Sequence, residues 1–170
     1  ADYVLHLARS SGKKPLWHTE DGQQGVGGFY PYEPALMRHL AESVSDMGGR
    51  KIYDDVQAFV RNGAGLIGLD RWGDPNNSKH RPDALTFAKG LGNGRGVAAG
   101  FVTEEVLEAC KSAPGNTFDT FSQQTDGLVA AREVLSIVLE GRLWENMRVE
   151  GDHFKTHLME IAQRFPTVVE

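Results

Sequence analysis

One cysteine, Cys110, is all that the 170 residues contain. That excludes an internal disulfide and any cysteine-rich metal cage. It fits a reducing compartment, the cytoplasm first and the mitochondrion second. Long apolar runs are also missing. Stretches such as Gly96–Val102 fall far short of the roughly 20 residues that a membrane helix needs, so no membrane partner is expected. Nor is there a basic block. The 18 Lys and Arg against 23 Asp and Glu leave a net charge of −5, which argues against an electrostatic nucleic-acid binder. The opening Ala1-Asp2-Tyr3 has neither an initiator methionine nor a signal-peptide pattern, and is read as the start of a piece of something longer. No repeat, low-complexity tract or splitting linker is visible. With 40% hydrophobic residues there is material for a core, and residues 1–170 are expected to form a single domain.

What is present is glycine, 20 of them, and an alternating pattern of elements. Strands are expected at Leu16–Thr19, Lys51–Val56, Ala84–Ala88 and Val97–Val102. Leu36, Leu40, Val44 and Met47 recur at helical spacing after Pro34, and Gly48-Gly49 should stop that helix. Thr103 before Glu104-Glu105 reads as a helix start. Leu128, Ala131, Leu135 and Val138 make one further stripe. Met147, Phe154, Leu158, Ile161 and Phe165 make another. Residues 74–81 read as an exposed loop. The sum is an α/β sandwich: three layers, with a mostly parallel sheet flanked by helices.

In open α/β sheets the chemistry sits beyond the carboxyl ends of the strands. Asp54–Gln57, Lys89 and the polar loop from Gly115 to Thr125 occupy such positions. Lys89 ends an apolar strand and is followed at once by glycines, which let a ligand approach closely. A partly desolvated lysine is a nucleophilic amine suited to Schiff-base chemistry. The alternative is a lysine that ends a strand and reaches outward to solvent. Asp54 is placed to hold a pyridinium nitrogen, or is a surface acid or cap.

Asp54-Asp55-Val56-Gln57 and Pro82-Asp83-Ala84-Leu85-Thr86-Phe87-Ala88-Lys89-Gly90 together resemble the core signature of the class III pyridoxal-phosphate aminotransferases. Those proteins carry Asp-Glu-Val-Gln and then Pro-Asp-(apolar)-x-Thr-x-Ala-Lys-Gly at a similar interval. Glu20–Gly28 is similar to the family's Glu-Pro-x-Gln-Gly-x-Gly-Gly loop with one extra residue. Val97–Val106, Gly115–Val134 and Trp144–Pro166 resemble the segments that follow. The resemblance implies the aspartate aminotransferase-like fold, of which this chain would be the central or second half of the large domain, with an N-terminal segment and a small C-terminal domain outside it. It implies pyridoxal 5'-phosphate as cofactor and an amino group moved from a primary amine to an α-keto acid through a Lys89 aldimine. Asp54 would pair with the pyridine nitrogen, Val56 would pack on the ring, and Gln57 would bond near its phenolic oxygen. Thr120, chosen over Thr117 by spacing within the family pattern, would contact the phosphate of a neighbouring subunit in a homodimer. Glu20 would contact substrate or a loop arginine. The lean is toward the ω-amino acid or alanine–glyoxylate type, with pyruvate or glyoxylate as acceptor, acting with its own copy or a complementing chain.

Two loops depart from that pattern. Ala58-Phe59-Val60-Arg61-Asn62-Gly63-Ala64 stands where the family has Thr-Gly-x-Gly-Arg-Thr-Gly. Ser122-Gln123-Gln124-Thr125 stands where it has Gly-Gly-Asn-Pro or Ser-Gly-His-Pro. These departures favour a second reading, a non-catalytic fragment or assembly module that keeps the fold without cofactor. A third reading rests on Gly63-Ala64-Gly65-Leu66-Ile67-Gly68, which matches the Gly-x-Gly-x-x-Gly dinucleotide fingerprint and would make the chain an oxidoreductase. His153 and His157, at i and i+4, could share a metal, but Phe154 replaces the glutamate of the His-Glu-x-x-His pattern. They read as solvated helix histidines, with no metal site expected. A truncated sheet should also expose an edge and apolar faces that call for a partner.

Overall fold

The computed structural model describes residues 2–21, 23–24, 30–111 and 124–165. In chain order these form α1 (Asp2–Ser10), β1 (Leu16–Glu20), β2 (Gln23–Gln24), β3 (Tyr30–Pro31), α2 (Pro34–Asp46), β4 (Arg50–Asp54), α3 (Leu69–Trp72), β5 (Ala84–Phe87), a single 3₁₀ turn (Lys89–Leu91), β6 (Ala99–Val102), α4 (Glu104–Lys111), α5 (Thr125–Gly141) and α6 (Leu143–Arg164). The main sheet has the order β1-β4-β5-β6, and β2 pairs with β3 in a separate antiparallel ribbon. β1, β4 and β5 run parallel, and β6 closes the edge antiparallel. The expected flanked, mostly parallel sheet is therefore what forms.

α2 starts where the sequence demands it, with Pro34 at its first position and the Glu33 carboxylate accepting from Ala35 N. It stops at Gly48, whose φ of +65° is the left-handed conformation that glycine adopts without strain. Its buried face is Met37, Ala41 and Val44, not the stripe expected from Leu36: Met37 is 2% exposed and Leu36 39%. The core lies where this face meets the sheet. Met37, Ala41, Tyr53, Leu69 and Trp72 form one cluster, with Tyr53 set edge-on between Trp17 and Trp72 at ring separations of 5.7 and 5.6 Å. Side chains of this size each contribute roughly 1.5–3 kcal/mol when fully buried.

A second cluster, Phe59, Phe87, Leu91 and Ala131, joins the sheet's carboxyl end to α5. On α5 the expected Ala131 and Val138 are buried, whereas Leu128 is 57% exposed and its neighbour Gly127 is buried instead, where a Cβ would lie 2.5 Å from the Gly96 carbonyl. On α6 no residue of the expected stripe is buried. The loop over 74–81 is exposed as expected except at His80 and the half-buried Asn77. His80 is 4% exposed, takes the Asp74 N–H on Nδ1 at 3.0 Å, and faces Glu42 Oε1 from Nε2 at 3.1 Å. Its carbonyl receives the Tyr53 hydroxyl at 2.9 Å. Among the described residues no helix is long and apolar enough to cross a membrane.

Candidate active site

Glu20, Asp54 and Thr86 stand in one register row across the carboxyl ends of β1, β4 and β5. Strand alternation puts Asp54 on the sheet face opposite Tyr53 and the α2 core. On that face Leu16 and His18 are exposed and Ile52 and Asp54 half-buried, so it is the open side of the sheet. The ladder continues past the strands. Asp21 N donates to the Asp54 carbonyl at 3.0 Å and Asp55 N to the Thr86 carbonyl at 2.9 Å. The Asp54 carboxylate is fixed by its own loop, accepting the Val56 N–H at 2.9 Å.

Two residues beyond β5 the chain reaches Lys89. Its φ is +45°, a left-handed conformation that costs a side-chain-bearing residue on the order of 1–3 kcal/mol and persists only when its surroundings enforce it. They do so here through Leu91, buried against Phe59, Phe87 and Ala131, and through Leu91 N to the Ala88 carbonyl at 3.0 Å. The exposed ammonium of Lys89 donates to Gln57 Oε1 at 3.1 Å, a contact between residues 32 apart in sequence. The loop carrying Gln57 is anchored by the same cluster: Ala58 and Phe59 are buried, and Phe59 sits edge-on to Phe87 at 5.1 Å. The unusual Ala58-Phe59 pair thus supplies packing at the base of the Lys89 turn.

The structure therefore brings Lys89 and Gln57 together, fixes Asp54 through Val56, and sets Glu20 in Asp54's row. Thr120 and Thr117 lie outside the described residues, as does most of the Gly22–Gly28 loop. A primary amine, a neutral amide and a half-buried carboxylate at adjacent strand ends suit an aldehyde-bearing pyridine. The amine matches the carbonyl, and the carboxylate matches a protonated ring nitrogen.

The Gly63–Gly68 loop does not suit a dinucleotide, and that reading is corrected. No strand runs directly into it, since β4 ends at Asp54, and the helix after it has four residues. Its amides are spent inside the protein. Ala64 N and Gly65 N donate to Asn62 Oδ1 at 2.8 and 3.1 Å, Ile67 N to Asp70 Oδ2 at 3.0 Å, and Gly68 N to both Asp55 oxygens at 3.2 and 3.0 Å. A pyrophosphate finds these four donors already committed to the Asn62 amide oxygen and to the Asp70 and Asp55 carboxylates.

Sequence reasoning missed the buried acids beneath the site. Asp21 and Asp55 are both fully buried. Asp21 Oδ1 takes the Trp72 indole N–H at 2.7 Å. Desolvation pushes the Asp55 carboxyl up to about 8, with the Asp21 charge adding to it. It pushes Asp21 up to about 6. Strand parity was the available signal: next to a solvent-side Asp54, Asp55 must point into the core.

The class III aminotransferase family model matches residues 19–170. A 4-aminobutyrate aminotransferase of Escherichia coli (strain K12) is 31% identical over 145 residues, covering 85% of this chain and 32% of that protein. The mitochondrial alanine–glyoxylate aminotransferase 2 of Homo sapiens is 30% identical over 145 residues, covering 85% of this chain and 27% of that protein. An (S)-enantioselective omega-transaminase from Thermomicrobium roseum superposes with a TM-score of 0.79 at 25% identity over 95% of this chain and 36% of that one. An S-selective transaminase from Arthrobacter sp. has the same fold, with a TM-score of 0.79 at 21% identity, 96% of this chain and 34% of that one. The chain spans about a third of the length of the curated relatives it matches.

Proposed function

The chain belongs to the class III aminotransferase family, and from that premise we propose that it is the lysine-bearing part of the large domain of a pyridoxal-phosphate-dependent aminotransferase. The reaction moves an amino group from a primary amine to an α-keto acid. The observation that carries this reading is the Lys89–Gln57 contact at 3.1 Å beside the Asp54 strand end.

Pyridoxal phosphate, when bound, supplies an electron-withdrawing ring that stabilises charge at the carbon losing its proton. Everything else falls to the chain. Asp54 would hold a proton on the ring nitrogen, and the Val56 N–H keeps one of its oxygens in place. Val56, in the same loop, would pack on the ring. Gln57 accepts from Lys89 through Oε1, which leaves its amide N–H groups for the ring's phenolic oxygen. Lys89 Nζ is the base that takes the proton from the amine-bearing carbon of the donor. It is also the acid that returns one to the carbon of the acceptor. Its backbone, held at φ +45°, fixes the point from which the side chain leaves the turn.

Thr120 is assigned to the phosphate of a neighbouring subunit in a homodimer or complementing chain, and Glu20 to substrate or a loop arginine. The ω-amino acid or alanine–glyoxylate type, with pyruvate or glyoxylate as acceptor, and a cytoplasmic or mitochondrial setting complete the assignment. A scaffold without cofactor is the competing reading, supported by the changed loop after Gln57. Full-length protein supplied with the cofactor, a panel of ω-amino acids and pyruvate separates the two. Keto-product formation that Lys89→Ala abolishes with the fold intact supports transamination. Turnover unaffected by Lys89→Ala, or no turnover with any donor, refutes it.

A further inference from the structure

α6 carries a constellation that amino-group transfer does not use. His153 and His157 stand one turn apart on the exposed face of this helix, with their Nε2 atoms 3.0 Å apart and their rings edge-on at 4.6 Å. One turn further, Glu160 Oε2 lies 3.2 Å from His157 Nδ1. A carboxylate only accepts, so it draws the ring proton of His157 to Nδ1 and leaves Nε2 with a free lone pair aimed at His153. A carboxylate behind a ligating imidazole orients the ring and raises its basicity.

The separation matters. Imidazole nitrogens bind divalent transition metals at about 2.0–2.1 Å, so two ligands at angles between right and tetrahedral lie about 2.9–3.4 Å apart. The observed 3.0 Å falls within that interval. Without a metal, one ring must donate to the other. With one, both lone pairs point at a single ion and the i, i+4 spacing closes a chelate on the helix.

We propose that His153 and His157 form a surface site for a borderline divalent transition metal, Cu²⁺, Ni²⁺ or Zn²⁺, with Glu160 as the residue that positions His157. Among the described residues no group of three or more His, Cys, Asp or Glu is placed to hold a metal. The site is therefore a two-histidine chelate whose remaining positions belong to water. Cu²⁺ heads the affinity order for such nitrogen ligands, and Mg²⁺ and Ca²⁺, which require oxygen, do not compete. The proposal is independent of the transaminase assignment.

The test uses untagged full-length protein, freed of metal by a chelator and titrated with Cu²⁺ while the copper spin-resonance spectrum is recorded. One ion per chain with coupling to two nitrogens is the expected result, unchanged by a large excess of Mg²⁺. His153→Asn and His157→Asn should each weaken binding at least tenfold and remove one nitrogen from the spectrum. Glu160→Ala should weaken it by roughly 10–100-fold with both nitrogens retained. His39→Asn, on the distant α2, should change nothing. All these side chains are exposed, so the variants keep their fold. Wild-type spectra without two-nitrogen coupling, or both histidine variants binding as wild type does, would overturn the site. Glu160→Ala binding at full strength would overturn the positioning role.

Discussion

Replacing Asp55 by asparagine should make the protein more stable at alkaline pH and leave it unchanged in acid. Both Asp55 oxygens receive the Gly68 N–H at 3.2 and 3.0 Å, and the group is fully buried. Asp21, also fully buried, takes Trp72 Nε1–H on one oxygen, while its Oδ2 has no partner among the described residues. The ordinary carboxyl value is 3.8, against about 8 for folded Asp55 and about 6 for folded Asp21. Below 3.8 both states carry the proton, and the folded state keeps its full stability. As pH rises toward 8 the unfolded chain ionises while folded Asp55 does not, so stability falls and then levels off. A gap of about four units corresponds to roughly 5 kcal/mol at 1.36 kcal/mol per unit. An asparagine amide mimics the protonated acid: it keeps an oxygen for Gly68 N and never ionises. Melting curves of wild type and Asp55→Asn between about pH 4 and 9 should coincide at the acid end. They should separate by about 10–20 °C at the alkaline end, since each kcal/mol moves the midpoint of a domain this size by roughly 2–4 °C. Parallel curves across the whole range would refute burial as the cause.

Further outcomes follow from the same geometry. Tyr53→Phe leaves the His80 carbonyl without its hydroxyl donor and should cost about 1 kcal/mol in urea unfolding, with no effect on turnover. Asp54→Asn keeps an acceptor for Val56 N but loses the charge that holds the ring-nitrogen proton. At about 1.5–3 kcal/mol for a hydrogen bond to a charged group, kcat should fall roughly 10- to 150-fold while circular dichroism is unchanged.

Strand positions were legible from the sequence because β1, β4 and β5 each carry a short apolar segment, Leu16-Trp17, Ile52-Tyr53 and Ala84-Leu85, close to glycine, proline or charge. The candidate site was legible because Asp54 and Lys89 follow directly from strand ends, and strand ends are where a parallel sheet exposes polar side chains. The face of each helix was less so. On α2 two apolar stripes share Val44, one through Leu36 and one through Met37. Only the position of Tyr53 and Trp72 decides that the second is buried. On α5 the expected stripe holds at Ala131 and Val138, but its first member gives way to Gly127, an atom-poor residue that no hydrophobicity pattern marks, because the Gly96 carbonyl comes too close for a larger one. The polar interior was the least legible. His80 and Asp21 are held by partners 38 and 51 residues away, and no local pattern announces such bonds. The glycine fingerprint at Gly63–Gly68 misled for the converse reason: its amides are consumed by side chains of the protein itself, Asn62 and Asp70 close by and Asp55 farther back in sequence.

The central claim is that Lys89 is the cofactor's covalent anchor. Its most direct test is to add pyridoxal phosphate to the full-length protein, reduce with borohydride, digest, and locate the pyridoxyl mass by peptide sequencing. The account predicts label at Lys89 alone, lost in Lys89→Ala. Label spread over surface lysines such as Lys13, Lys14 and Lys111, with Lys89 unmodified, would contradict it.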